Sequence, residues 1–182
     1  VTASGSFTGT GTFNDPYIVS TKNLLVKMGE DLTANYQLST NITFDECDSF
    51  ESLGSNSLAG FTTSFSGTLD GNGNTIANLK ILGDGSYEGL FASIGNGVEI
   101  FDLTLDNGFV SGYDRVGLLY GQSTNSASPN YITNITIQNS KVVGHEDIGL
   151  LSGLTYPVGS FETLDNITVT NRSASAQTFD VQ

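Results

Sequence analysis

Three short stretches of the chain carry residue types that could do chemistry. His145-Glu146-Asp147 sets an imidazole beside two carboxylates, the raw material of general acid/base catalysis. Phe44 to Glu51, "FDECDSFE", crowds Asp45, Glu46, Asp48 and Glu51 around the single cysteine, Cys47. Carboxylates of this kind cleave glycosidic bonds when two of them face each other across a sugar. Ser66 to Thr75, "SGTLDGNGNT", offers Asp70, Asn72 and Asn74 at the first, third and fifth places of a calcium loop.

Each stretch also has a plainer reading. In the calcium loop the sixth place should be Gly and the twelfth Glu; here they are Thr75 and Ile81. A phosphate cradle needs a helix or a Lys after the glycines, whereas these glycines lead into the strand-like run Ile76 to Ile81. The stretch therefore reads as a tight corner whose Gly and Asn residues accept positive φ. Asp70 and Asn72, with Asp45 and Asp48, remain weak calcium candidates. His145-Glu146-Asp147 aligns with Tyr113-Asp114-Arg115, and a slot that tolerates such exchange reads as a solvated turn. The acids around Cys47 lie in one loop with no Lys or Arg close in sequence. The surrounding negative charge argues for a packed or passive thiol. No catalytic residue and no cofactor is assigned, and the chain reads as a non-enzyme.

The charge balance narrows the function further. With 6 Lys+Arg against 19 Asp+Glu, a net charge of -13 repels nucleic acid and anionic membranes. No apolar run reaches the roughly 20 residues that cross a bilayer as a helix. One Cys and one His do not make a zinc site of the usual kind. Abundant Gly, with Ser, Thr and Asn and no Trp, describes a turn-rich β protein.

Internal repeats decide the fold class. Gly108 to Gly121, "GFVSGYDRVGLLYG", lies over Ser140 to Gly153, "SKVVGHEDIGLLSG", without a gap. Tyr87-Glu88-Gly89-Leu90-Phe91 is a looser copy. A second element, Asn or Asp followed by apolar, free and apolar positions, recurs at Asn41, Asn78, Asp102, Asn134 and Asn166. Period-two alternation then turns Ile42, Leu79, Leu103, Ile135 and Ile167 inward with Phe44, Ile81, Leu105, Ile137 and Val169. Strands this short bury an apolar face only by stacking as successive coils, which makes an all-β, parallel β-solenoid of about five rungs. The outward residues Asn41, Asn78, Asp102, Asn134 and Asn166 would form an amide ladder, beside a column of Thr43, Lys80, Thr104, Thr136 and Thr168. "STKNLLVKMGED" reads as a short helix capped by Ser20 or Thr21 and stopped at Gly29, with Leu24, Leu25 and Met28 on one side. Such a helix would cover the first rung. The division is thus one domain over 1–182: a strand and capping helix in 1–40, repeated rungs in 41–170, and a strand or tail in 171–182.

In order along the chain, "GTGTFNDPYIVST", "YQLSTNITF", "FSGTLDGNGNTIANLKI", "GLF" and "GLL" resemble the GLUG-motif modules of bacterial and archaeal surface proteins. The resemblance runs from Gly9 to Val169, with Leu replacing the commoner aromatic after Gly-Leu in the C-terminal copies. It implies a right-handed solenoid, an extracellular or cell-surface setting, and an adhesive or structural role with no catalytic motif. The expected partners are further copies of the chain or neighbouring modules, assembled as a filament or a stalk. The alternative is a carbohydrate- or calcium-dependent binding module that uses Tyr113, Tyr120, Tyr131 or the acidic loops, with a glycan-cleaving β-helix enzyme as the third reading. Glycosylation sequons stand at Asn41, Asn134, Asn166 and Asn171, three of them on the outward Asn of the rung motif.

Overall fold

A computed structural model describes residues 1–56, 61–124, 127–155 and 162–170. The fold is a β-solenoid of about four turns with one short helix near the N-terminus. Its longest sheet stacks Tyr17–Val19, Asn35–Leu38, Thr68–Asp70, Glu99–Asp106, Asn130–Gln138 and Glu162–Thr170, every neighbour parallel. A second side stacks Lys80–Leu82, Phe109–Ser111 and Lys141–Val143, and a third stacks Phe91–Ile94, Tyr120–Ser123 and Ser152–Thr155. Where five motif copies suggest five rungs, Glu162–Thr170 opens a further coil of which only this strand is described. The expected strand or tail at 171–182 lies outside the described residues.

The inward column follows the alternation. Ile42, Phe44, Leu79, Ile81, Leu103, Leu105, Ile135 and Ile137 are all buried in one continuous core. At the C-terminal coil burial weakens: Ile167 is partly buried and Val169 is 48% exposed. Aromatic rings continue the core along another line. Phe7 stacks on Tyr17, Tyr17 meets Tyr36, Tyr36 meets Phe65, and Phe65 stacks on Phe91 with centroids 4.3 Å apart. Tyr120 sits in register with Phe91 on the next coil.

The corners explain the repeated polar residues. Asp102, Asn134 and Asn166 adopt φ of 54°, 53° and 50°, and Asn78, Asn107 and Asn139 adopt 60°, 52° and 52°. Tyr87, Arg115 and Asp147 form a third left-handed set. Asn and Asp tolerate this region better than other L-residues, so they mark where each coil bends. The Gly before each Leu-Leu has a different cause. A Cβ on Gly117 would lie 2.4 Å from the Tyr120 carbonyl oxygen, and one on Gly149 2.2 Å from that of Ser152.

Register corrects two of the expected columns. Thr75, Thr104, Thr136 and Thr168 stand in line, whereas Thr43 pairs with Ala77 and Lys80 with Phe109 on another side. The copies at Asn41 and Asn78 look equivalent in sequence but enter the coil at different points. Asn41 sits above the threonine column, its Oδ1 accepting from the Thr75 N–H at 2.9 Å. Asn78 belongs to the next corner, where Asn107 Nδ2 donates to its Oδ1 at 2.8 Å.

The helix Lys22–Lys27 starts at Thr21, whose Oγ1 accepts from the Leu24 N–H, and continues as a 3₁₀ turn, Met28–Glu30. It buries Leu24, Leu25 and Met28 in the common core. Its place is the crossover between the paired strands Tyr17–Val19 and Asn35–Leu38, so one strand lies outside it in the chain order.

Candidate functional site

The cluster around Cys47 has a partner that sequence distance hides. Lys22 Nζ, carried by the helix, lies 2.5 Å from Asp45 Oδ2 and 2.5 Å from Asp48 Oδ2. The lysine absent from the neighbouring sequence is thus supplied through space. The Lys22 ammonium and the Asp45 backbone N–H hold the Asp48 carboxyl below the ordinary carboxylate range. These two acids tie the helix to the loop, and a cation there would have to displace an ammonium. Cys47 is exposed and not packed. It is expected to react fully with a maleimide in the native state; labelling that needed denaturant would contradict this exposure.

Asp70 and Asn72 are also engaged. Asp70 Oδ2 accepts from Gln37 Nε2 at 2.7 Å, and its Oδ1 accepts from the Asn72 N–H at 2.7 Å. Asn72 and Asn74 each donate to the Leu38 carbonyl of the preceding coil at 3.2 Å. Side-chain amides here replace the strand ladder found elsewhere, because the backbone turns and its own donors point away.

Of the polar ladder, the structure joins three members. Asn166 Nδ2 donates to Asn134 Oδ1 at 2.8 Å, and Asn134 Nδ2 donates to Asp102 Oδ1 at 2.7 Å. Asn41 and Asn78 lie elsewhere, as the register requires. Asn41, Asn134 and Asn166 are exposed, and Asn171 falls outside the described residues. The sequon at Asn134 or Asn166 is a corner Asn followed two places later by a threonine of the in-line column; Asp102-Leu103-Thr104 fills the same place without one. A shallow polar groove runs along this corner past Gly73, Thr104, Thr136 and Thr168.

The tyrosines divide. Tyr113 and Tyr131 are 53% and 44% exposed, whereas Tyr120 is fully buried and has no face to offer a sugar. Burial pushes its hydroxyl well above the ordinary phenol range, with the nearby Glu162 carboxylate adding to the shift.

One buried carboxyl could be found by alignment. Glu88 takes the place held in the next two coils by Val116, which is buried, and by Ile148, which is 43% exposed. Ser52 Oγ donates to Glu88 Oε2 at 2.5 Å and accepts from the Gly89 N–H at 3.1 Å. Burial raises the Glu88 pKa, the Ser52 bond opposes that, and Asp84 and Glu51 add to it. A carboxyl raised in the folded state gives stability that is complete below its unfolded value. That stability is lost as pH rises through the folded value. Glu88→Gln, which keeps a carbonyl acceptor for the Ser52 hydroxyl and leaves Ser52 Oγ to accept from the Gly89 N–H, is therefore expected to stabilise the chain by about 1 kcal/mol at pH 7.5. The gain should shrink towards pH 4 in urea unfolding; a gain independent of pH would mean that Glu88 ionises as freely in the fold as outside it.

The remaining cluster spans two coils. Asp114 is in register with Glu146, and His145 lies next to it, with its ring stacked on Tyr113 at 4.8 Å and 3° between planes.

Among known proteins, this chain is similar to a short part of halomucin. The likeness is 32% identity over 134 residues with halomucin of Haloquadratum walsbyi (strain DSM 16790 / HBSQ001). Those residues are 68% of this chain and 1% of halomucin. No family model matches the chain, and no solved structure matches it. The likeness and the solenoid together fit a module of a surface protein.

Proposed function

We propose that the chain is a non-enzymatic, extracellular structural module that joins end to end with further copies or with neighbouring segments of a larger surface protein, as a filament subunit or an adhesin stalk. The observation that carries this reading is the outer edge of Glu162–Thr170, unpaired among the described residues. This nine-residue strand pairs in parallel with Asn130–Gln138, and no described residue pairs with its other edge. Beside that edge Leu164 and Val169 are 51% and 48% exposed, and Ile167 is only partly buried. An open strand edge with apolar side chains is a template for another strand.

Other features support the same reading. The solenoid extends by repetition, and each coil packs mainly on its neighbours, which suits a rod whose length can grow. Asp45 and Asp48, two of the four carboxylates around Cys47, are held by Lys22. The likeness to part of halomucin favours the same extracellular setting, as does the resemblance of the motif string to GLUG modules. In a glycosylating host, Asn134 and Asn166 would place sugar along one corner.

The test is negative-stain electron microscopy and sedimentation of the untagged chain across concentration and salt, with and without millimolar calcium. Filaments or concentration-dependent oligomers are expected, and Leu164→Lys with Val169→Lys should disperse them. Monomers under every condition would overturn self-assembly and leave only the embedded-segment form of the proposal.

A further inference from the structure

We infer that Asp114, His145 and Glu146 form a surface site for one divalent transition-metal ion of the zinc class, clamping two successive coils. One ligand atom from each residue lies within 4.8 Å of the other two. His145 Nδ1 is 3.6 Å from Asp114 Oδ1 and 3.8 Å from Glu146 Oε1. These separations are too long for hydrogen bonds. They are close to the edge of a tetrahedral shell, where bonds of roughly 2.0–2.2 Å set neighbouring donors about 3.3–3.5 Å apart.

Two further features favour an ion over a loose cluster of solvated charge. Asp114 Oδ1 has no contact with solvent and accepts no hydrogen bond, though its side chain is 29% exposed overall. A buried carboxylate oxygen left in this state is uncommon and calls for a counter-charge. The His145 ring is held flat against Tyr113, and the His145 backbone N–H donates to the Tyr113 carbonyl at 2.6 Å, so the imidazole is fixed by the coil beside it. Strand register supplies the rest. Asp114 and Glu146 come from equivalent places in consecutive repeats, and parallel stacking makes equivalent residues neighbours.

The donor set selects the ion. An imidazole with two carboxylates suits zinc, copper or nickel, whereas calcium and magnesium prefer oxygen-only shells with more donors. Three protein donors leave at least one position open to water, in keeping with the 57% and 69% exposure of the His145 and Glu146 side chains. The net charge of -13 raises the local concentration of any cation.

Isothermal titration of the full chain with zinc chloride in a non-chelating buffer tests the site. One ion per chain is expected. His145→Gln should weaken binding by about tenfold or more, with a smaller loss for Glu146→Gln. Cobalt(II) should give a visible absorption band that the His145→Gln chain lacks. Because His145 is exposed, its replacement should leave the circular dichroism unchanged. The absence of saturable zinc binding would overturn the site, as would equal binding by His145→Gln, which would place the ion on other carboxylates. Equal competition by calcium would overturn the choice of ion.

Discussion

Phe91→Ala is expected to lower the unfolding free energy by about 3–5 kcal/mol, the largest effect of any single truncation proposed for this chain. Phe91 is fully buried, stacks on Phe65 at 4.3 Å, bridges to Leu53 and stands in register with Tyr120. It therefore joins the core of the coil before it to that of the coil after it. Removing the ring deletes its transfer free energy and leaves a void, because the flanking strands are fixed by their own parallel ladders. The same kind of truncation at Ile167, which is only partly buried at the C-terminal coil, should cost about 1–2 kcal/mol. Position along the stack thus matters as much as residue size. Where coils pack mainly on their neighbours, a weakened middle coil separates two blocks, whereas a weakened outer coil only frays. Urea unfolding followed by two probes measures this. A loss below about 1 kcal/mol for Phe91→Ala, or coincident transitions of unchanged midpoint, would mean that the aromatic column fills space without joining the coils.

The inward column is the part of the fold most legible in the sequence. Ile135 and Ile137, or Leu103 and Leu105, alternate with polar residues over four positions, and each set recurs once per coil. The corner conformation is not legible in the same way. Alternation treats Asn134 as one more outward strand residue, whereas its φ of 53° makes it the bend itself. That distinction explains the register error at Asn41 and Asn78, since both precede the same apolar pattern but only Asn78 is a left-handed corner. Lys22 and Asp48 are 26 residues apart, and no local pattern joins a helix to a loop across that distance. The alignment of Asp114 with Glu146 is more instructive. Exchange of residue type at one slot argues against a catalytic pair within a repeat, yet in a parallel stack the same alignment makes those residues touch. Equivalence in a solenoid is a statement of proximity, and Asp114, His145 and Glu146 become a set only when the repeats are laid one upon another.

Asn134 offers the sharpest separation of conformation from contact. Asn134→Val should destabilise the chain by about 2–5 kcal/mol: roughly 1–2 kcal/mol for forcing a side chain unsuited to positive φ into this corner, and the rest for two lost hydrogen bonds at about 0.5–1.5 kcal/mol each. Asn134→Gly keeps the corner without strain and loses the bonds to Asp102 and from Asn166, so about 1–3 kcal/mol is expected. The Gly variant measures the ladder plus the entropy that glycine adds to the unfolded chain, and the difference between the two variants measures the conformational part less that entropy. Equal losses would assign the whole effect to the ladder. A neutral Gly variant would assign it to the bend, and the amide chain from Asn166 through Asn134 to Asp102 would then be a consequence of corner geometry. Either result also bears on the sequon. A sugar on Asn134 Nδ2 leaves that nitrogen one N–H, enough for the bond to Asp102, so ladder and glycan are compatible only if the remaining N–H keeps its present direction.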